Sequence, residues 1–469
     1  MFAKRKLLAT LAVATMVFAA CAEDDDPEGA PTTAGGVVTT EPPTETTSGE
    51  LTDLGHGVSS TSVKVGIVII DYDCQVGDFV DFVRGDQEAT AQLFVDTINA
   101  NGGVAGGREI DPIYRSYCPI PGLEPTPTQL CTQFTQDEEV FAVVGVFIDF
   151  TGEGHGCITK DNETVLITHE VEQAWIDASL PGLLLTPDST KDARAIQLVN
   201  ALGQAGLLDG QTVGLVGDQN GETRVNDLIG PALEDAGAEL ATTAILTIDG
   251  TDTSAAQSQF DSFIERWKTE GVTAVYFDGL NVSAKQFGEQ LKQQLPDVQI
   301  YAGADSVLQQ ARDLQAAGSD PNPYEGMYSV TGQSSDDRWE NKNDILQACV
   351  DTFEAETGET VKGPGEEDLT DDGKRIEIAT AVTDFCGELY MFKAIADIVG
   401  AQLTIENWQA AVNSLGDVVL APTDIASICQ GKYAADDAAQ LVQYDSSVGE
   451  AGDWVTQGDV IDADDTCAA

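Results

Sequence analysis

Between Val63 and Tyr114 the chain runs through VKVGIVII, a polar loop, a segment closing on TINANGGVAGG, and then REIDPIY. Val63 to Ile70 is an almost unbroken apolar run with one lysine, the pattern of a parallel strand covered on both faces. Ala91, Phe94, Val95 and Ile98 follow at i, i+3, i+4 and i+7, the apolar stripe of an amphipathic helix. Asn101-Gly102-Gly103 should end that helix, because Asn and Gly tolerate the left-handed cap conformation. Strand, helix and strand in this order predict a right-handed βαβ unit, and its loops then gather at the carboxyl ends of the strands.

The same alternation continues down the chain. Thr128 to Thr135 reads as helix, and Phe141 to Phe147 and Thr164 to Thr168 read as buried strands. A second series starts at Thr212–Gly217. It continues with a helix from about Glu222 to Ala236, a strand Thr243 to Ile248 and a helix around Ser254 to Glu270. A strand Thr273 to Phe277, a helix ending at Leu295 and a strand Val298 to Gly303 complete it. Two series of domain size predict two α/β lobes with helices on both faces of each sheet. Long helices are expected again around Leu346 to Glu356 and Ile376 to Val399.

The amino terminus carries an address. Lys4-Arg5-Lys6 is a basic start, and Leu7 to Ala20 is an apolar stretch too short to span a bilayer as a helix. Phe18-Ala19-Ala20-Cys21 resembles a bacterial lipobox, with Phe in place of the usual Leu. Residues 1–20 are therefore expected to be a lipoprotein signal, and Cys21 the lipidated residue. An ordinary secretory signal with an unmodified cysteine is the plainer alternative. Residues 22–61 hold nine acids and no Lys or Arg, with many Thr, Pro and Gly. Such a stretch buries too little apolar area to offset ordering, so 21–61 is expected to be a disordered acidic tether. No other apolar run is long enough to span a membrane, so the body should be soluble and anchored.

Charge excludes one class of function. The chain has 23 basic and 79 acidic residues, a net charge of −56. Phosphate contacts need a basic surface, so nucleic acid is not a partner. Acidity on this scale fits solubility in saline surroundings better than a cationic ligand.

Nine cysteines in an exported chain favour disulfides. With Cys21 set aside, eight remain. Cys349 and Cys386 lie in consecutive predicted helices, and Cys429 and Cys467 bracket the carboxyl-terminal segment, so each couple is paired. Cys74, Cys118, Cys131 and Cys157 admit three pairings. The preferred one is Cys118–Cys131 with Cys74–Cys157, the latter joining two cleft loops. A metal site has little support: no CxxC occurs and there are three histidines. No cofactor is expected.

The Val63–Tyr114 unit resembles the opening of the leucine/isoleucine/valine-binding-protein family, the solute receptors of ATP-driven importers, and the likeness extends over roughly residues 62–460. It implies the type I periplasmic-binding-protein fold, two doubly wound parallel-sheet lobes joined by a multi-strand hinge. On that template lobe one comprises 62–187 and 338–425, and lobe two 188–337 and 426–469, with Ala438–Tyr444 and Trp454-Val455 rejoining lobe two. The resemblance further implies a lipid-anchored, monomeric, extracytoplasmic receptor. It would capture a small polar solute such as an amino acid or amide and deliver it to an ABC permease with its ATPase. A sensor of the same fold that signals to a membrane partner is the alternative.

Ligands of doubly wound sheets sit beyond the strand carboxyl ends. Lobe one offers Asp71–Gln75, Asp149–Gly152 and Thr168–Glu170, and lobe two offers Asp218–Gly221, Asp278-Gly279 and Gly303–Ser306. The loop GVFIDFTG is similar to the family's GPFSSG, which makes Thr151 the expected hydroxyl donor to a ligand carboxylate. Asp305, in YAGADS, resembles the family's acidic contact to an ammonium. Thr168-His169-Glu170 stands where the family carries Ser, Ala and Thr, and Asn220 stands where many members have an aromatic residue. Tyr72, Asp149, Thr168, His169, Asn220 and Asp278 complete the expected set. Plainer roles stand beside these. Asp149 and Asp305 suit helix N-caps, His169 suits a structural histidine, and Tyr72 suits loop packing.

No catalytic constellation is present: there is no GxSxG, HExxH, Walker loop or post-strand GxGxxG. His155, Cys157 and His169 share strand-end loops, but an exported Cys157 is better placed in a disulfide. The chain is not expected to be an enzyme.

Overall fold

Apolar runs that are covered on both sides must lie at the centre of layered sheets, and two such sheets organise this chain. The computed structural model describes residues 51–72, 74, 82–120, 122–247, 253–279, 283–303, 305–332, 335–363, 366–371, 373–449, 451–464 and 466–467. All belong to the compact unit Thr40–Ala469. The signal, Cys21 and most of the tether lie outside the described residues.

In the first sheet, five parallel strands run in the order Glu109–Tyr117, Ser62–Ile70, Ala142–Val144, Val165–Ile167, Leu184–Leu185. In the second, Glu239–Leu240, Thr212–Asp218, Ala274–Asp278, Gln299–Ala302 and Tyr328–Thr331 are likewise parallel. Each sheet therefore has its first strand between its second and third, the order that opens a crevice at the carboxyl ends of the first and third strands. Ala438–Asp445 and Asp453–Thr456 extend the second sheet antiparallel.

The first strand is buried along nearly all of its length, as its apolar run requires. Helix Gln87–Ala100 starts where Asp86 accepts the Ala89 N–H, and it buries Ala91, Phe94, Val95 and Ile98. Its end differs in detail from expectation. Asn101 keeps a negative φ, and the positive φ falls on Gly102 and Gly103. A Cβ at Gly103 would meet the Arg108 carbonyl at 2.0 Å, so only glycine permits this return. The strand expected over Phe141–Phe147 is confined to Ala142–Val144, because Gly145 turns the chain at φ 116°. In lobe two, Gly214 lets the Trp267 indole pack flat on the first strand, 2.7 Å from where a Cβ would be.

The lobe-one core also takes in helices Asp344–Thr357 and Ile378–Val399. Lobe two has apolar layers on both sheet faces. One is built on Phe260, Trp267 and Phe287, the other on Leu198, Leu202 and Ile229. Three segments cross between lobes. Thr186 exchanges backbone hydrogen bonds with Tyr433 and Ala435, and Gly332 lies directly against Asp436. Lobe-one core membership runs through Tyr433 and Ala435, and the second sheet resumes at Ala438.

Residues 51–61, read as the end of the tether, lie against lobe one instead. Val58 is buried, and the buried Arg108 donates to the carbonyls of Thr52, Ser59 and Ala105. Two apolar side chains, Val58 and Leu54, and one arginine with five donors hold that stretch down.

Cys349–Cys386 and Cys429–Cys467 are bridged. The preferred pairing of the other four is corrected: Cys74 bonds Cys118, and Cys131 bonds Cys157. The first two strands pair in register through Ile70 and Tyr117, so Cys74 and Cys118 leave the same end of the sheet side by side. Cys157 lies in the helical stretch Glu153–Asp161, which packs on the helix carrying Cys131 instead of entering a cleft loop. No helix of the described residues is long and apolar enough to cross a membrane.

Candidate functional site

The crevice of the second sheet faces lobe one, and a narrow cleft with a free volume of about 70 Å³ lies between them. Phe150, Glu170, Glu172 and Trp175 line it from lobe one. Asp218, Asn220, Gly221, Arg224, Asp278, Gly279 and Gly303 line it from lobe two. Asp188, Ser189, Lys191 and Arg194 line it where the chain leaves the first crossing and starts helix Lys191–Gln204.

The lobe-two wall is built on the first and third strands. Asp218 ends the first strand, and its Oδ1 accepts the N–H groups of Asn220 and Gly221, which folds the loop back. Arg224 follows one turn later. Its Nε lies 3.0 Å from each carboxylate oxygen of Asp278 at the end of the third strand, and Nη2 lies 3.0 Å from Oδ2. Burial pushes the Asp278 carboxyl up, against the pull of Arg224. Nη1 of Arg224 reaches across to Glu172 of lobe one at 3.2 Å.

A second cross-lobe pair joins Lys191 to Glu170 at 3.1 Å, with the ammonium 5.9 Å from the centre of the Trp175 ring. The charge of Lys191 holds the Glu170 carboxyl below its usual range. Arg194 donates from Nε to Ser189 and lies 4.0 Å from Asp436. Burial lifts the Asp436 carboxyl to about 7, although Arg194 opposes it.

Behind this wall is a charged cluster. His169 Nδ1 lies 2.7 Å from Asp188, and its Nε2 lies 3.3 Å from Glu388 and 3.8 Å from Asp384. Burial disfavours the imidazolium, but Asp188 and Asp384 outweigh it and raise His169 to about 10. Burial likewise opposes ionised Asp188, yet His169 brings it down to about 2. Glu388, fully buried, is lifted by burial to about 8 despite His169. Among the described residues no group of three or more His, Cys, Asp or Glu is placed to hold a metal ion.

No protein-family profile matches the chain, and no curated protein matches it. Solved structures do. A solute-binding protein of an ABC transporter from Rhodopseudomonas palustris, in complex with 3,4-dihydroxybenzoic acid, superposes with a TM-score of 0.60 at 13% identity, over 87% of this chain and 99% of that one. A fatty acid ABC transporter substrate-binding protein from Thermomonospora curvata gives 0.61 at 16% identity, over 88% and 95%. A leucine-binding protein from Thermotoga maritima gives 0.59 at 13% identity, over 86% and 99%. The fold is that of the type I periplasmic solute-binding proteins.

Within this binding-protein fold, the residues expected from the sequence separate into groups. Asn220 and Asp278 line the cleft. His169 stands one layer behind, holding Asp188. Asp149 is buried and accepts the N–H groups of Thr151 and Gly154 together with the Thr151 hydroxyl, so it caps the turn at Glu153. Burial works against its charge, but His155, Thr151 and Gly154 bring it to about 2. The Thr151 hydroxyl is thereby turned to Asp149, and Phe150 is the residue of this loop that lines the cleft. Thr168 is buried and accepts the Phe147 N–H at 2.8 Å, tying two strand ends together. Tyr72 packs on Phe82 beneath Arg84. Asp305 opens helix Asp305–Ala316, and its side chain lies outside the described residues. Lys191, Arg194, Arg224 and Trp175 were not anticipated. The one sequence signal for the first two is Ser189-Thr190-Lys191-Asp192, a helix start at the point where the chain changes lobes.

Proposed function

We propose that this chain is a lipid-anchored, extracytoplasmic receptor that captures a small polar solute between its lobes and delivers it to an ABC permease. The observation that carries the reading is the convergence, in one interlobe cleft, of three cations, five carboxylates and two aromatic rings supplied by both lobes and the hinge. That mixture suits a solute bearing a carboxylate and an amine or hydroxyl around a small apolar body. The three structural neighbours described above are named for dihydroxybenzoic acid, a fatty acid and leucine, each a carboxylic acid.

Lys191 and Arg194 are the groups proposed to take the solute carboxylate. Glu170 and Asp218, with the Asn220 amide, are proposed to take its donors, and Phe150 and Trp175 to cover its apolar part. Solute contacts made by both lobes exist only in the closed form, so binding shifts the population toward closure. Lipid at Cys21 keeps the receptor near its permease, and it acts as a monomer.

A thermal-shift screen of amino acids, amides, aromatic acids and short fatty acids tests this, since a ligand stabilises the state that it binds. At least one carboxylate-bearing solute should raise the melting temperature, and the gain should shrink in Lys191→Ala. A screen in which no such solute stabilises the protein sinks the proposal.

A further inference from the structure

One flank of the two lobes carries a feature that the cleft does not use. Residues Asp368 to Ile376 form a hairpin. Leu369 bridges Arg375, the Ile376 N–H reaches the Asp368 carbonyl, and the turn closes through Thr370, Gly373 and Lys374. Its second arm, Arg375–Ile376, pairs with Phe82–Val83, and upstream Val361 sits in the lobe-one core, so the hairpin belongs to lobe one.

Facing it is helix Asp305–Ala316, which sits in the lobe-two core through Val307, Ala311 and Leu314. Two consecutive residues of that helix carry opposite charges, and each meets its complement across the gap. Arg312 Nη2 lies 2.9 Å from Glu367, and Asp313 lies 3.0 Å from Nη1 of Arg375. The four side chains are at most 8% exposed. Glu377 lies 3.3 Å from the other nitrogen of Arg375.

We infer that this quartet is an interlobe latch, which biases the empty receptor toward its closed form. The crossed arrangement of charges is satisfied in one register of hairpin on helix, so it selects a single closed geometry. Burial makes the pairs short-ranged. Once the lobes part and water enters, each charge regains its hydration and the attraction that held it is gone. The net bias is then a small difference between desolvation and attraction, which permits reversible opening. The latch deepens the proposed capture between lobes by assigning its regulation to residues that never touch a solute. Its readout needs no solute, so it stands or falls separately.

The test places a donor and an acceptor fluorophore in the full chain at two exposed positions, Asp161 of lobe one and Glu289 of lobe two. Non-canonical residues carry the dyes, which leaves the disulfides intact. Arg312→Gln with Glu367→Gln removes one pair, and Asp313→Asn with Arg375→Gln removes the other. Both double variants should show lower energy transfer than the wild type in solute-free buffer, with an unchanged far-ultraviolet spectrum. The quadruple variant should show the lowest transfer. Wild-type transfer in either folded double variant and in the quadruple variant overturns the latch.

Discussion

Replacing Arg224 by Met removes the cation in hydrogen-bond contact with both oxygens of Asp278, whose side chain is 5% exposed. The methionine fills most of the volume, so the change is chiefly electrostatic. Breaking a buried pair from one side costs about 3–5 kcal/mol, because the remaining charge is left without compensation. For a lobe of this size each kcal/mol is worth roughly 2–4 °C, so melting at pH 7.5 should fall by roughly 10 °C. The pH dependence gives the sharper check. The folded-state pKa of Asp278 is already raised by burial, and loss of Arg224 raises it further. A carboxyl with a raised folded pKa takes up a proton on folding. Its penalty is therefore full above that pKa and fades as pH falls toward the unfolded value. The variant should therefore recover part of its deficit relative to the wild type as pH falls from 7.5 to 5.5. Adding Asp278→Asn should restore most of the loss at pH 7.5. The assay is calorimetric melting of the three proteins across that range. A deficit under 2 °C at pH 7.5, or one that stays constant down to pH 5.5, refutes the account of Asp278 as a carboxylate kept charged by Arg224.

Three further outcomes follow from the same kind of reasoning. His169, held at about 10, contributes stability that is full below its unfolded value near 6.5 and is lost as pH rises toward 10. The imidazolium should therefore persist in the folded protein at pH 8.5, read from the His169 ring carbon shifts by NMR; a neutral ring at that pH would remove the charge from His169. Gly214→Ala forces a methyl to 2.7 Å from the Trp267 indole and should cost about 1–3 kcal/mol by overpacking, read as a lowered melting temperature with Trp fluorescence shifted to the red. Non-reducing peptide mapping should recover Cys74 with Cys118 and Cys131 with Cys157, and a Cys118–Cys131 peptide would contradict the strand-end geometry.

The scaffold was legible because its signals are local. A parallel strand covered on both faces has to be an apolar run, so Val63–Ile70, Val213–Val216 and Val275–Phe277 announce themselves without reference to anything distant. The site was less legible because its residues acquire meaning from partners far along the chain. Arg224 looks like a solvated helix residue until Asp278, 54 residues later, is brought beside it. The Cys131–Cys157 link is hidden for a related reason: Cys157, expected in a strand-end loop, sits in the helical stretch Glu153–Asp161, and the packing of that stretch on the Cys131 helix is a tertiary fact.

The lobe-one strand-end polar residues were read as ligand contacts, and most are engaged in holding short loops together. Asp149 and Thr168 accept backbone N–H groups that would otherwise be buried without partners, the local competition in which short oxygen-bearing side chains excel. With those groups committed, the proposed polar contacts to a solute come from longer side chains that reach in from the hinge and from lobe two. There, Lys191 and Arg224 are already paired across the cleft with Glu170 and Glu172. On the proposed reading, a solute carboxylate that docks on Lys191 displaces Glu170, and the freed glutamate is then available to an amine on the same solute. Exchange of this kind favours a ligand carrying both charges at the spacing of the pair that it opens. A simple anion gains one contact and leaves a glutamate unpaired, so it should bind more weakly than a zwitterion of equal size.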